Sequence, residues 1–204
     1  MKLTKIAAGT TLFFALSTAA MADMNTLMTN ASRELSPYTL DCSHWYVGAN
    51  LGVSHLYDNE TSGTNNSVTE NGPGWSVNGG YQFNSLLGAE IGFTQYHDSR
   101  ETSGSTNVAK TEHYAVDLVA TGRYPLVNKW SVIGKLGMAY SYANKIYTAG
   151  PAASSGALSP YGGLGVAYAL TQKVDFLAQW AAAKGNNYTG SSSLYSVGLN
   201  VAIV

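Results

Sequence analysis

The residues best suited to chemistry are His97, Ser99 and Glu112. His97 and Ser99 are two positions apart, so in a β-strand they share one face, and Glu112 opens the next predicted strand with matching parity. A nucleophile, a base and an orienting carboxylate are the parts of an acyl-transfer site. Serine and glutamate are also common in polar loops, and that is the interpretation we favour. We predict no catalytic residue and no cofactor.

A second chemistry, metal binding, would use His55, His97 and His113. Alternation places His55 and His97 on one face and His113 on the other, and no tight ligand motif surrounds them. We therefore predict no metal site. Cys42 is the only cysteine, which excludes an internal disulfide; we expect a free thiol, with an intermolecular disulfide as the alternative.

A third group comprises charged residues on faces that otherwise carry Gly, Ser, Asn, Gln and Ala. They are Glu90, Asp117, Arg123, Lys135 and Asp175. Charges in such surroundings need partners or water. Glu90, Arg123 and Lys135 fall at similar distances from predicted turns, so they could form one ion cluster. The group is either a satisfied polar core that closes the interior or the lining of a conducting or gated path.

Strands must position these side chains, because eight stretches alternate apolar with small or polar residues. A period of two is typical of strands with two unlike faces. We predict strands at 45–56, 74–83, 87–97, 112–124, 130–143, 160–170, 173–183 and 193–203. The interleaved residues are too polar for a dry core between two sheets, so the apolar face is expected to contact lipid. This predicts an all-β fold, an eight-stranded antiparallel up-and-down transmembrane β-barrel.

The connections between the predicted strands alternate in length. The long ones are 58–73, 98–111, 144–159 and 184–192. Short turns are periplasmic and long loops extracellular in bacterial barrels, so both ends of the barrel should be periplasmic. The long loops are the expected contacts for host or cell-surface ligands.

Aromatic residues concentrate near the strand ends on the predicted lipid-facing side. Such residues form interfacial girdles in outer-membrane barrels. Toward the periplasm we place Trp45, Phe83, Tyr124, Trp130 and Phe176, and toward the outside Trp75, Tyr114 and Tyr142.

The first residues predict export. Lys2 and Lys5 precede an apolar run at 6–16 and the small-x-small signature Ala20-Met21-Ala22, which indicates a signal peptide over 1–22. Residues 23–44 are expected to be a periplasmic segment, with a plug of the barrel as the alternative, and 45–204 the barrel domain. No later stretch approaches the roughly 20 apolar residues of a spanning helix.

Composition limits the function classes. Only 11% of the residues are charged, whereas a soluble domain averages about 25%. Without Lys2 and Lys5, nine basic residues face twelve acidic ones, so the chain lacks the electrostatic footprint of a nucleic-acid-binding protein.

Short glycine-rich motifs carry a family resemblance. Residues 79–84 (GGYQFN) and 88–93 (GAEIGF) resemble strands two and three of the OmpA-type transmembrane barrel. So do 122–126 (GRYPL), 135–137 (KLG) and 159–171, and the similarity extends from about Trp45 to Val204. The resemblance implies an inward acid at Glu90 and an inward base at Lys135.

The chain also departs from the family pattern. Thr121, Ala167 and Leu177 stand where the family has other inward charges, so the salt-bridge gate proposed for such barrels is not implied here. Val204 stands where such barrels usually end on an aromatic residue that the insertion machinery reads. The resemblance covers only the barrel, so it does not imply a wall-tethering role.

These observations together predict a non-enzymatic, monomeric barrel in the outer membrane of a Gram-negative bacterium. We expect contacts with outer-membrane lipid and lipopolysaccharide, a contribution to envelope integrity, and loops that serve surface interactions such as adhesion. A narrow porin for water or small solutes is the alternative, and a lipid A-modifying barrel enzyme is a more remote one.

Overall fold

The computed structural model describes residues 43–57, 66–69, 71–103, 106–147, 153–185 and 190–203. The predicted signal peptide, the N-terminal segment up to Cys42 and Val204 lie outside the described residues, as do parts of the four long connections. Within the described ranges, no helix combines the length and hydrophobicity needed to cross a bilayer.

Ten strands account for most of the described residues. They are β1 (His44–Tyr57), β2 (Asn66–Thr69), β3 (Asn71–Gln82), β4 (Leu87–Gln95), β5 (Ser99–Ser103), β6 (Thr106–Pro125), β7 (Trp130–Tyr147), β8 (Ala153–Ala169), β9 (Val174–Lys184) and β10 (Ser191–Ile203). Strands β2 and β5 pair with each other, and β5 pairs with β6 above the end of β4. The other eight strands form the barrel wall.

The wall is closed, which confirms the predicted eight-stranded antiparallel barrel. Its order is β6-β4-β3-β1-β10-β9-β8-β7, and the pairing of β6 with β7 completes the circle. Tyr114 lies in register with Gln95, and following the pairing through all eight strands returns to β6 at Tyr124, ten residues away. A shear of ten across eight strands corresponds to a strand tilt of about 41° and a radius of about 8 Å.

The two faces of the wall differ as the alternation predicts. Leu51 and Leu136 are 70% and 74% exposed on the outer face, whereas their neighbours Asn50 and Lys135 are 2% and 8% exposed. Exposed aliphatic side chains in this number are stable only where lipid covers them. The period of two therefore separates a lipid face from a filled interior.

Short turns at one end join the long strands. Asn84 Oδ1 accepts hydrogen bonds from the Leu86 and Leu87 amides at 2.9 and 2.8 Å. Thr171 Oγ1 does the same for Lys173 and Val174 at 3.1 and 3.0 Å. These side chains satisfy turn amides that no strand partner reaches.

At the opposite end the strands are longer than predicted. The predicted loops 98–111 and 144–159 are largely strand, because β6 begins at Thr106, β7 continues to Tyr147 and β8 begins at Ala153. Pairing of β6 with β7 extends to Ala109 opposite Tyr147. Above the lipid a strand needs no apolar face, so its sequence is polar and looks like a loop even though the backbone ladder continues.

A β-bulge interrupts the wall between β4 and β5. Gln95 pairs with Tyr114 and Ser99 with Thr111, so four residue steps on one side oppose three on the other. One extra residue reverses the inward and outward positions. Parity places Ser99 with His97 on the outward face, and that placement is wrong: Ser99 is buried at 3% exposure, and the His97 ring lies over Gly72, in the same register row as the buried Ser54.

Candidate functional site in the barrel interior

Glu90 is the centre of the polar interior. Tyr46 on β1, Gly80 on β3 and Glu90 on β4 lie in one register row. Because Gly80 has no side chain, the Tyr46 ring passes over it, and its hydroxyl donates to Glu90 Oε2 at 3.0 Å. The glycine thus permits a contact between strands that are not neighbours.

Two further donors complete the surroundings of this carboxylate. Asn78 Nδ2 donates to Glu90 Oε2 at 3.0 Å, and Lys135 Nζ donates to Glu90 Oε1 at 2.7 Å. The side chains of Glu90 and Lys135 are only 4% and 6% exposed. A buried ion pair with these additional hydrogen bonds meets the condition under which such a pair offsets its desolvation.

A second ion pair lies nearer the short turns. Arg123 Nη1 and Asp175 Oδ2 are 2.5 Å apart, and Arg123 Nε donates to Ser131 Oγ at 3.2 Å. Both charged side chains are about one-fifth exposed. This pair joins β6 and β9 at the periplasmic mouth.

A small cavity of about 60 Å³ connects the two ion pairs with the periplasmic mouth. Two buried polar atoms on its lining lack a hydrogen-bond partner within the described part of the chain: Gln82 Nε2 and Asn200 Oδ1. Unpaired polar groups around a space of this size are typical of a site that holds ordered water.

The interior above the ion pairs is filled by buried side chains, among them the carboxylate of Asp117 and several serines and threonines. Its buried side chains include Leu56, Tyr96, Val119, Tyr161 and Leu194. An eight-stranded barrel is just wide enough for its own side chains to fill. The cavity is therefore a polar vestibule at one end, and its lining does not reach this layer.

The five charges suggested by the sequence are thus arranged in two pairs and a single carboxylate rather than one cluster. Arg123 reaches Asp175, not Glu90, because it lies closer to the periplasmic turn. Asp117 is buried and lies within electrostatic range of Glu90 and Lys135. Sequence reasoning missed Tyr46 and Asn78, although their parity on β1 and β3 points inward.

The predicted outer girdle residues lie on a continuous aromatic row across four strands. Trp75 contacts Phe93 at 5.6 Å between ring centroids, Phe93 contacts Tyr114 at 5.9 Å, and Tyr114 stacks on Tyr142 at 4.9 Å. Phe93 was not among the predicted girdle residues. The register between β4 and its neighbours, which the sequence does not give, brings it into the row.

At the periplasmic end the predicted Trp45, Phe83, Tyr124, Trp130 and Phe176 are all at least 40% exposed. Tyr81 lies between Trp45 and Phe83 with centroid distances of 4.9 and 5.4 Å. Tyr114 and Tyr124 are ten residues apart on β6, which at the barrel's tilt is about 25 Å along the axis. The apolar band of outer-membrane barrels has this height.

Of the residues considered for acyl transfer, Ser99 and Glu112 have separate partners. Ser99 Oγ lies 3.3 Å from His113 Nε2, whereas Glu112 pairs with Lys110, which also contacts Asp98. The hydrogen bonds from Lys110 to Asp98 and Glu112 raise the pKa of its ammonium group. Nor does the described part of the chain contain three or more His, Cys, Asp or Glu side chains placed to hold a metal ion.

Known proteins share this sequence pattern. Residues 41–204 match the model of the OmpA-like transmembrane domain. Outer membrane protein A of Escherichia coli O157:H7 is 30% identical over 131 residues, which cover 64% of this chain and 37% of that protein. Outer membrane protein A of Klebsiella aerogenes is 31% identical over 137 residues, with 64% and 38% covered. The chain thus spans well under half the length of these relatives.

Solved structures share the fold. OprG from Pseudomonas aeruginosa has a TM-score of 0.58 at 12% identity, covering 81% of this chain and 98% of OprG. Neisserial surface protein A has a TM-score of 0.57 at 17% identity, covering 78% and 97%. Ail of Yersinia pestis, in complex with the heparin analogue sucrose octasulfate, has a TM-score of 0.55 at 16% identity, covering 79% and 99%.

The closed wall, its lipid-facing surface and the family match agree on both fold and location. This chain belongs to the OmpA-like transmembrane domain family and is an eight-stranded β-barrel of the Gram-negative outer membrane.

Proposed function

We propose that this barrel is a non-enzymatic, monomeric outer-membrane protein that contributes to envelope integrity and presents its extracellular end for surface contacts such as adhesion. The observation that carries the proposal is the filled interior. Tyr96, Val119 and Tyr161 occupy the lumen above the vestibule, which favours a rigid scaffold over a passage.

The extracellular end supports a role in recognition. Strand β7 continues five residues beyond Tyr142 of the aromatic row, about 12 Å along the axis, and stays paired with β6. The barrel therefore holds a paired ladder above the lipid. Loops on a rigid scaffold are where binding sites are concentrated.

Attachment and integrity can be tested separately. Variants in which 58–65, 148–152 or 186–189 is replaced by a short Gly-Ser turn should lower the attachment of barrel-coated beads to host cells. A variant altered at the periplasmic turn 170–173 is the matched control and should attach normally. Sucrose octasulfate, the ligand seen with Ail, is a first competitor to try. Unchanged attachment after all three replacements, and after replacement of 104–105 in the fourth connection, would remove the recognition role.

The integrity role predicts a different outcome for the same variants. Cells lacking the protein should become more sensitive to detergent, and the loop-replaced barrels should restore resistance because the wall alone supplies it. If deletion leaves detergent sensitivity unchanged, the integrity role is wrong.

A narrow porin is the second candidate, and the vestibule favours it. The vestibule, the Glu90–Lys135 pair and the Arg123–Asp175 pair form a polar path from the periplasm to the packed layer. Planar-bilayer recording decides between the two functions. Our proposal expects no conductance from the wild type and opening when Tyr161→Gly and Val119→Gly empty the layer. Steady wild-type conductance that changes in Lys135→Ala would favour the porin.

A further inference from the structure

The lipid-facing wall of β7 to β10 is not uniformly covered by large side chains. It carries a groove of about 580 Å³. The floor is one register row in which three adjacent strands place small residues, Gly162, Ala182 and Ser193. The register row beneath the floor carries large apolar side chains, which are Leu164, Trp180 and Tyr195.

The fold does not require this empty space. A Cβ added at Gly162 would meet only the Lys135 carbonyl oxygen, at 3.9 Å, so the wall could carry a side chain here without a clash. At Gly80, by contrast, a Cβ would collide with the Tyr46 ring. The volume of the groove lies in the range of ligand-binding pockets, roughly 300–1,000 Å³.

The groove lies in the outer half of the lipid band. Because the strands are tilted, each register partner on the next strand lies lower along the barrel axis. Five such steps lead from Tyr114 to Ala178, which therefore lies about 15 Å closer to the periplasm. Six residues up β9 from Ala178 is Lys184, a rise of about 15 Å. Lys184 is therefore level with Tyr114 of the outer aromatic row, and the groove begins directly below it.

Lys184 gives the groove a charged upper end. It is exposed, belongs to the same outward face as Ala182 and Trp180, and pairs in register with Ser191. An ammonium group above an apolar channel is complementary to a lipid with an anionic head group. The arrangement favours a single amphiphile over a second barrel, because an apolar groove with a lysine at its upper end matches the acyl chain and the anionic head group of one lipid.

We propose that this groove binds one lipopolysaccharide molecule. An acyl chain of its lipid A lies over Gly162 and Ala182 and against Trp180, and Lys184 contacts a lipid A phosphate. This site is separate from the proposed adhesion role, since it faces the membrane and not the exterior.

Native mass spectrometry of detergent-purified full-length protein titrated with lipid A tests the proposal. Gly162→Leu fills the groove and should lower lipid A retention about tenfold, while Lys184→Gln should lower it about fivefold. Gly122→Leu is the matched control, because Gly122 is also outward-facing with no atom within 4 Å of an added Cβ, and it lies near the periplasmic turns. The control should retain lipid A as the wild type does. Phosphatidylethanolamine should bind all four proteins equally weakly.

Several outcomes would overturn the proposal. Equal lipid A retention by Gly162→Leu and the wild type would do so, as would equal loss in Gly122→Leu. A wild-type dimer that Gly162→Leu converts to a monomer would assign the groove to a second copy of the chain. Each variant must first show the heat-modifiable band of a folded barrel, and Ala182→Leu carries the same expectation if Gly162→Leu does not fold.

Discussion

At the scale of single residues, the interior depends on a few contacts that reach across the wall. Glu90 accepts hydrogen bonds from Tyr46, Asn78 and Lys135, so its charge is balanced and its oxygens are satisfied. The buried pair is costly to break from one side, because the remaining charge has no comparable partner.

Replacing one member of this pair should therefore be worse than replacing both. Glu90→Ala should lower the free energy of unfolding by about 3 kcal/mol, since buried Lys135 loses its hydrogen-bonded carboxylate and keeps only the longer-range interaction with Asp117. Glu90→Ala combined with Lys135→Met should recover most of that loss. Urea unfolding in lipid vesicles, followed by tryptophan fluorescence, measures both. Equal destabilisation of the single and double variants would contradict the account.

Two adjacent glycines make a matched pair for the Tyr46 contact. Gly80→Ala should destabilise the barrel by about 1–3 kcal/mol, because the methyl group overlaps the Tyr46 ring. Gly79→Ala should have little effect, since its methyl group would meet only the Tyr46 carbonyl oxygen, at 3.9 Å. The same unfolding assay compares them, and similar losses in the two variants would show that the ring does not cross Gly80.

The separation of Ser99 from Glu112 predicts no acyl-transfer activity. Cells expressing the wild type or Ser99→Ala should contain identical lipid A by mass spectrometry, because Glu112 pairs with Lys110 and does not orient a base. A lipid A species present only with the wild type would reverse this conclusion.

At the scale of elements, the sequence predicts most of the wall and misses what happens at its upper end. Alternation located all eight barrel strands because lipid requires an apolar residue at every second position. Above the lipid that requirement ends, so the upper parts of β6, β7 and β8 look like loops. The bulge before Ser99 is equally hidden, since an extra residue leaves no mark in the composition.

The candidate site could be predicted only in part, because the sequence gives the inward or outward position of each residue but not the register between strands. Parity places Glu90, Arg123 and Lys135 inward, but which charges meet depends on strand tilt and register. The pairing of Arg123 with Asp175 joins strands far apart in the chain. This pair can be predicted only when the shear of the barrel is known, and the sequence of a single strand does not determine the shear.

Whether a strand or turn position faces lipid or water predicts how much a charged substitution there destabilises the barrel. Leu136→Arg, near the middle of the band on β7, should cost about 2–4 kcal/mol because arginine would face hydrocarbon. Leu126→Arg, in the periplasmic turn, should cost about 1 kcal/mol or less because its side chain reaches water. Unfolding in lipid vesicles measures both costs. Equal losses of unfolding free energy would contradict the prediction that position 136 faces hydrocarbon and position 126 faces water.

At the scale of the whole molecule, eight strands with a shear of ten set the tilt, the radius and the height of the apolar band together. Tyr114 and Tyr124 mark the two edges on one strand, and packed side chains fill the upper part of the interior between them. The same geometry leaves a polar vestibule in the periplasmic part of the band and a paired ladder beyond the lipid at the other end.

The most direct test of this account is the solvent met by alternate side chains. Spin labels at Leu51, Ile91 and Leu199 of the vesicle-reconstituted protein should collide with oxygen and be shielded from a water-soluble nickel complex. Labels at the inward Ser76 and Ser141 should be shielded from both, because protein packs around them. Ready collision of the nickel complex with the three outward labels would contradict the lipid-facing wall on which the fold, the location and the proposed roles depend.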